Sequence, residues 1–388
     1  MLATLLCVLA VLVRDGAVAA DELSPEAELG RLLFVDTTLS ASGRLACASC
    51  HDPGNAYAAP AAAGVVMLGG AHLDTPGIRT VPSLRYMANT PRFARHFYID
   101  KGVEREDIGA AGGFMLDGRA ENLQAQALLP WFDQHEMANS NDAELAERLL
   151  STPYTQRFAA VFGDHKSDAS TLVRQAAQAL ERFELEDPSF KPYSSRYDDF
   201  LAGRAQLSPA ELNGLRLFAD PNKGNCAACH LMTTEPGGRG PAFTDHSFHA
   251  LGVPRNSAIP ANRDTKFFDL GLCGPLRTDL ATESGYCGYF KTPTLRNVAR
   301  RRFLFHNGRF STLDEVLHFY VERDLYPAKW YPLIAGKLRK YDDLPRRFRS
   351  NVNTSDPPLA QRPGMPPALD AHEIGDVIAF LRTLNDVD

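Results

Sequence analysis

The chain has 388 residues, a formal net charge of −6, and 23% charged and 44% hydrophobic residues. That is a globular composition, long enough for two or three domains. No basic stretch argues for nucleic acid, and mild acidity says little about partners beyond solubility.

At the N-terminus Leu2 to Val13 is apolar and Ala17-Val18-Ala19-Ala20 offers small residues for cleavage, so residues 1–20 are expected to be an export signal. No Lys or Arg precedes the apolar run, which departs from the usual pattern. An uncleaved anchor is the alternative, but the run is short for a membrane span, and no other long apolar run follows. Residues 25–34 have helical apolar spacing, with Ser24 as N-cap and Pro25 at the first helical position. They lead to Cys47-Ala48-Ser49-Cys50-His51. Residues 52–113, rich in Gly, Pro, Ala and Asn, read as long loops of the kind that wrap a ligand.

Helical patterns follow at 121–129, 142–150 and 170–185, with a short helix from Pro153 to Val161. Residues 186–207 look like a boundary. Ser208-Pro209-Ala210-Glu211 is a capping box before a helix at 212–218, which leads to Cys226-Ala227-Ala228-Cys229-His230. A capped helix, a loop and a C-x-x-C-H run thus occur twice, which predicts two domains of one kind, 21–200 and 201–388. A helix at 312–323 places Leu313, Val316, Leu317 and Tyr320 on one face. Arg346, Arg347 and Arg349 read as a solvated basic face, and residues 370–384 as a last amphipathic helix. No strand pattern stands out. The expected class is mainly α, with two tandem cytochrome c-like domains.

C-x-x-C-H is the attachment signature of c-type haem. Two thiols add to the vinyl groups at one porphyrin edge and the adjacent His turns under the iron. A zinc site would want a second Cys or His pair near each run, and neither run has one. The expected cofactors are therefore two covalently bound haem c groups, on Cys47, Cys50 and His51 and on Cys226, Cys229 and His230. Of the seven cysteines, Cys7 falls in the signal, and Cys273 and Cys287 remain. In an oxidising compartment they most simply form a disulfide; two free buried thiols are the alternative.

The segments ELGRLLF, CASCHDP, DGRAENLQAQALLP, CAACH, FTDHSFHALGVP, FKTPTLRNVA and FHNGRFSTLDEVLHFY resemble, in order and spacing, the bacterial dihaem cytochrome c peroxidase superfamily and its MauG-like branch. The resemblance implies a peroxide-reactive, five-coordinate haem on His51 and a six-coordinate electron-transfer haem on His230. The second ligand of the latter, often Met, corresponds to Tyr320. A phenolate donates charge and favours oxidised iron. On the residues alone Tyr320 reads as a core aromatic; competing ligands are His318 and Met365.

Around the first haem the resemblance places Gln126, Pro130 and Glu136. Glu136 would move the proton of peroxide, its pKa raised by burial, and Gln126 would hydrogen-bond it. Pro130 would deny the sixth position both bulk and a donor. His72, in a Gly-rich loop, reads as a surface residue, the alternative being a resting-state ligand. His249 is expected to orient a propionate or pack near the second haem, and His306-Asn307-Gly308 to form a turn. Leu116 stands where the family carries an inter-haem Trp; Trp131, Tyr86 and Tyr98 are the substitutes to weigh. At the family's calcium positions stand Thr80, Arg301 and Phe303, so calcium is not expected, with Arg301 partly replacing the ion.

These implications describe an exported, periplasmic enzyme using hydrogen peroxide to form high-valent iron and oxidise a residue, first of all a Trp, of a partner protein. The alternatives are a peroxidase drawing electrons from a small cytochrome or cupredoxin, and an electron carrier or redox sensor.

Overall fold

The computed structural model describes residues 22–96, 98–101, 104–107, 109–163, 168–234 and 239–387. The expected export signal lies outside them. Nine α-helices of six or more residues order the described chain: α1 Pro25–Val35, α2 Leu123–Phe132, α3 Asp142–Leu150, α4 Thr155–Phe162, α5 Ala169–Glu186, α6 Arg196–Leu201, α7 Pro209–Ala219, α8 Leu313–Glu322 and α9 Ala371–Arg382. Most begin on a side chain that accepts a backbone N–H. Ser24, Asn122, Asn141, Asp168, Ser195, Ser208, Thr312 and Asp370 all do so, each cap being worth about 1 kcal/mol.

No strand pattern is legible in the sequence, yet four two-stranded antiparallel ladders occur among the described residues. The longest pairs Tyr98–Lys101 with Glu104–Asp107; the others are two residues a side. Such short pairs bury no apolar face of their own, so they leave no alternating pattern to read. The span 186–207 also holds α6, too short for a helical period to show but opened by a capping box of Ser195 and Asp198.

Two large apolar clusters organise the chain. One joins Leu29, Leu33 and Phe34 of α1 to Trp131 and to Ala176, Leu180 and Phe183 of α5. The other joins Leu217 and Phe218 of α7 to Leu317 and Val321 of α8 and to Val377 and Phe380 of α9. Both are closed by the same device. A Cβ on Gly30 would lie 1.9 Å from the carbonyl oxygen of Ala179, and one on Gly214 would lie 1.9 Å from that of Asp376. Each glycine therefore lets a helix preceding a C-x-x-C-H run touch the backbone of a later helix. Buried ion pairs tie the two halves together. Arg79 donates to Asp269 at 2.6 and 2.8 Å and to Asp117 at 2.7 Å. Tyr86 donates to Asp386 at 2.7 Å. Cys273 and Cys287 are joined by a disulfide.

Candidate functional site

Each C-x-x-C-H run edges its own cavity. The first, of about 190 Å³, is lined by Cys50 and His51, by Met67 to Gly69, and by Leu116, Arg119, Gln126, Pro130, His135 and Glu136. Cys47 packs behind it against the first apolar cluster. The second, of about 400 Å³, is lined by Cys226, Cys229, His230, His249 and the inner face of α8. None of the four cysteines is in a disulfide.

The histidines are set alike. The Nδ1 of His51 lies 3.1 Å from the Tyr57 carbonyl oxygen, and that of His230 lies 2.9 Å from the Phe243 carbonyl oxygen. A carbonyl can only accept, so Nδ1 carries the proton and Nε2 keeps its lone pair. Burial lowers both imidazoles, His51 to about 4, which favours the neutral form of each. A neutral imidazole with a free Nε2, thiols at the same edge and a largely apolar hollow suit a haem in each half.

On the distal side of the first cavity, α2 presents Gln126 and, one turn on, Pro130. Gln126 is buried. Pro130 sits inside the helix without an N–H to return to the Gln126 carbonyl. The helix ends at Asp133, whose carbonyl accepts from Glu136 N–H at 3.0 Å, and this turn swings Glu136 back into the cavity. Burial, with Asp133 adding to it and Arg119 opposing, pushes the Glu136 carboxyl up to about 7. The Gly-rich loop read as the setting for His72 does something else. Gly70 N–H donates to the Glu136 carbonyl at 2.9 Å. A Cβ on Gly69 would lie 2.0 Å from the His135 carbonyl oxygen and 2.7 Å from Glu136 Cα. The loop thus clamps the backbone of Glu136, while His72 is exposed and lines neither cavity.

In the second cavity Leu313, Val316, Leu317 and Tyr320 all face inward. Tyr320 stands in the same hollow as His230, and burial, with the nearby Cys229 and Cys226, raises its phenol above the ordinary range. Only a strong Lewis acid there would draw off its proton. The competitors lie elsewhere. His318 Nδ1 is 3.1 Å from Glu322, and Met365 is 47% exposed; neither lines the cavity. His249 Nε2 is 2.8 Å from Ser247 Oγ and, with Asp245, stands against Cys229.

Leu116 borders both cavities, as do Lys291, Thr292 and Pro293. It is the wall between them. Of the aromatic substitutes, Trp131 is sealed in the first cluster, Tyr98 is exposed, and Tyr86 borders only the first cavity. Sequence reasoning missed His135, held by the Pro76 carbonyl at 2.8 Å, and His306, which stacks on Phe290 at 3.5 Å in the second cavity. It read His306 only as part of a turn. No signal in the local sequence marks either, because tertiary contacts alone bring them in.

A mainly helical protein with a haem-type cavity in each half is a dihaem cytochrome in its architecture. The chain belongs to the di-haem cytochrome c peroxidase family, whose model matches residues 24–206. It is 33% identical to the methylamine utilization protein MauG of Paracoccus denitrificans over 76% of this chain and 73% of that one. It is 30% identical to the cytochrome c551 peroxidase of Nitrosomonas europaea over 78% of each. Among solved structures it superimposes on the diheme peroxidase BthA of Burkholderia thailandensis with a TM-score of 0.82 and 38% identity, over 94% of this chain and 87% of that one. The protein is accordingly a haem-dependent oxidoreductase of the peroxidase type. No described helix is long and apolar enough to cross a membrane.

Proposed function

We propose that the protein is a periplasmic peroxidase that reduces hydrogen peroxide to water in the first cavity, with electrons entering from a partner protein through the second. Cys47 and Cys50 would attach one haem and Cys226 and Cys229 the other, with His51 and His230 beneath the irons. The observation that carries this reading is an asymmetry. A carboxyl poised near neutrality and a buried amide share the His51 cavity, whereas a phenol shares the His230 cavity.

A haem on His51 supplies a redox iron at which the peroxide O–O bond can break. This chain supplies the proton traffic. Glu136, ionised, takes a proton from one peroxide oxygen and returns it to the leaving oxygen. Gln126 donates its amide N–H to hold that oxygen, and Pro130 leaves the space beneath α2 free. Two electrons and two further protons complete the conversion of one peroxide to two waters. Tyr320 would be a ligand of the other iron, where an anionic phenolate would favour the oxidised state. No calcium is needed. The Thr80 hydroxyl donates to the Phe305 carbonyl at 3.0 Å, and Arg301 brings its own charge in place of an ion.

A second reading has the same site oxidise a Trp side chain of the partner. The sequence favoured it first, and Tyr320 together with the identity to MauG supports it. The greater identity to a diheme peroxidase over nearly the whole chain now ranks peroxide reduction above it.

Low-temperature EPR of the ferric holoprotein beside Tyr320→Phe tests the assignment. One high-spin and one low-spin haem are expected, and only the low-spin signal should change in the variant. Two low-spin haems, or a low-spin signal indifferent to the substitution, would overturn it.

A further inference from the structure

Residues 329–349 carry seven Lys or Arg against two Asp, in a chain whose net charge is −6. Within them Leu333–Ile334 pairs with Lys337–Leu338 in a small hairpin, which leaves Leu333 66% and Ile334 51% exposed. Lys337, Arg339, Arg346 and Arg347, in the same segment, are exposed. Arg339 and Arg346 lie close enough to Arg349 for their charges to help lower its pKa, behind the effect of burial. Among the described residues no carboxylate pairs with those four exposed side chains. Asp342 stands near Arg349 and opposes that shift, and both aspartates also bond to Arg255. Asp342 accepts from the Arg255 backbone at 3.1 Å, and Asp343 pairs with the Arg255 guanidinium and Asn307, each at 3.0 Å.

The placement gives this charge a use. Asp343 and Leu344, in the same segment, line the second cavity. The basic, apolar-tipped surface is therefore the outer side of a wall whose inner side faces His230 and Tyr320. We propose that this surface docks a small acidic redox protein, the hairpin leucine and isoleucine giving it apolar grip and the unpaired cations steering it. Such steering raises association rates about 10- to 1000-fold at low salt. An anionic lipid surface could use the same cations, but it would cover the wall through which a soluble donor must reach the second haem.

The inference rests on the peroxidase reading only for its purpose, and the test keeps the two apart. Peroxide consumption by the holoenzyme would be measured with three donors: an acidic plastocyanin-type cupredoxin, a basic mitochondrial-type cytochrome c, and the small uncharged amine tetramethyl-p-phenylenediamine. The variant is Lys337→Glu/Arg339→Glu/Arg346→Glu/Arg347→Glu. The acidic donor should show kcat/KM about tenfold or more above the basic one at low salt. That advantage should fade near about 0.3 M salt and disappear in the variant, with the amine-driven rate unchanged. Calorimetric binding of the oxidised cupredoxin reads the docking without turnover, so loss of peroxide consumption alone condemns the functional reading and not this surface. Equal rates and equal binding for both proteins, or a variant that behaves as wild type, would overturn the proposal. Binding to phosphatidylglycerol vesicles through the same four residues, with the cupredoxin indifferent, would make the surface a membrane contact instead.

Discussion

Helices α2 and α8 are the same device used twice. Asp117-Gly118-Arg119 precedes one and Asn307-Gly308-Arg309 the other, inside matching bridges of Phe114 with Ala120 and Leu304 with Phe310. Asn122 and Thr312 cap them. The fourth residue is Gln126 in one and Val316 in the other, and the eighth is Pro130 in one and Tyr320 in the other. Both eighth residues face a cavity edged by a C-x-x-C-H run. One frame therefore offers an amide and an empty place on one side of the molecule, and an apolar side chain and a phenol on the other. On the proposed function, a difference at two positions, with the Glu136 turn that follows α2, is what would divide peroxide chemistry from electron relay.

The strongest way to break that division is Glu136→Gln. The amide keeps the shape and loses the base, so the rate of reaction with peroxide in stopped-flow should fall about 10²- to 10⁴-fold while the second haem's spectrum is untouched. Because the base must be ionised and its pKa lies at about 7, the wild-type rate should rise with pH through that value and then level off. The variant should lack the inflection, and a variant that keeps it would remove Glu136 from the proton path.

Gly69→Ala is a finer cut. The added Cβ meets backbone, which cannot swing aside, so His135 and Glu136 must shift together. A displacement of this size should cost about tenfold or more in the peroxide reaction. The EPR signal of the second haem should stay as it was, and a change there would mean that the loop supports both halves.

The smallest expected effect is none. The halves are joined across their boundary by Arg79 and by the contacts of Thr80 with Phe305 and His306. Treating the holoenzyme with EDTA and then adding calcium should change neither spectrum nor turnover. A chelator-sensitive enzyme would show that an ion helps to hold the two cavities in register.

The two haem motifs were legible because their chemistry is local. Cys, Cys and His must lie at fixed spacing to meet one porphyrin edge, so the pattern survives in the chain as written. The main helices were legible for a similar reason, through caps at Ser24 and Ser208 and apolar residues at helical intervals. The face of α8 that carries Tyr320 was readable from its period alone. What the Tyr could touch was not, since a phenol on an apolar stripe has the same spelling whether it packs in a core or faces iron.

Only the tertiary structure decided the rest. It turned Glu136 inward, set Leu116 between the cavities, and excluded His318 and Met365 from the second cavity. It also made a glycine loop the clamp on Glu136. Each of these depends on residues far apart in the chain being held against one another. A sequence records local spacing directly and long-range contact only through the packing it permits.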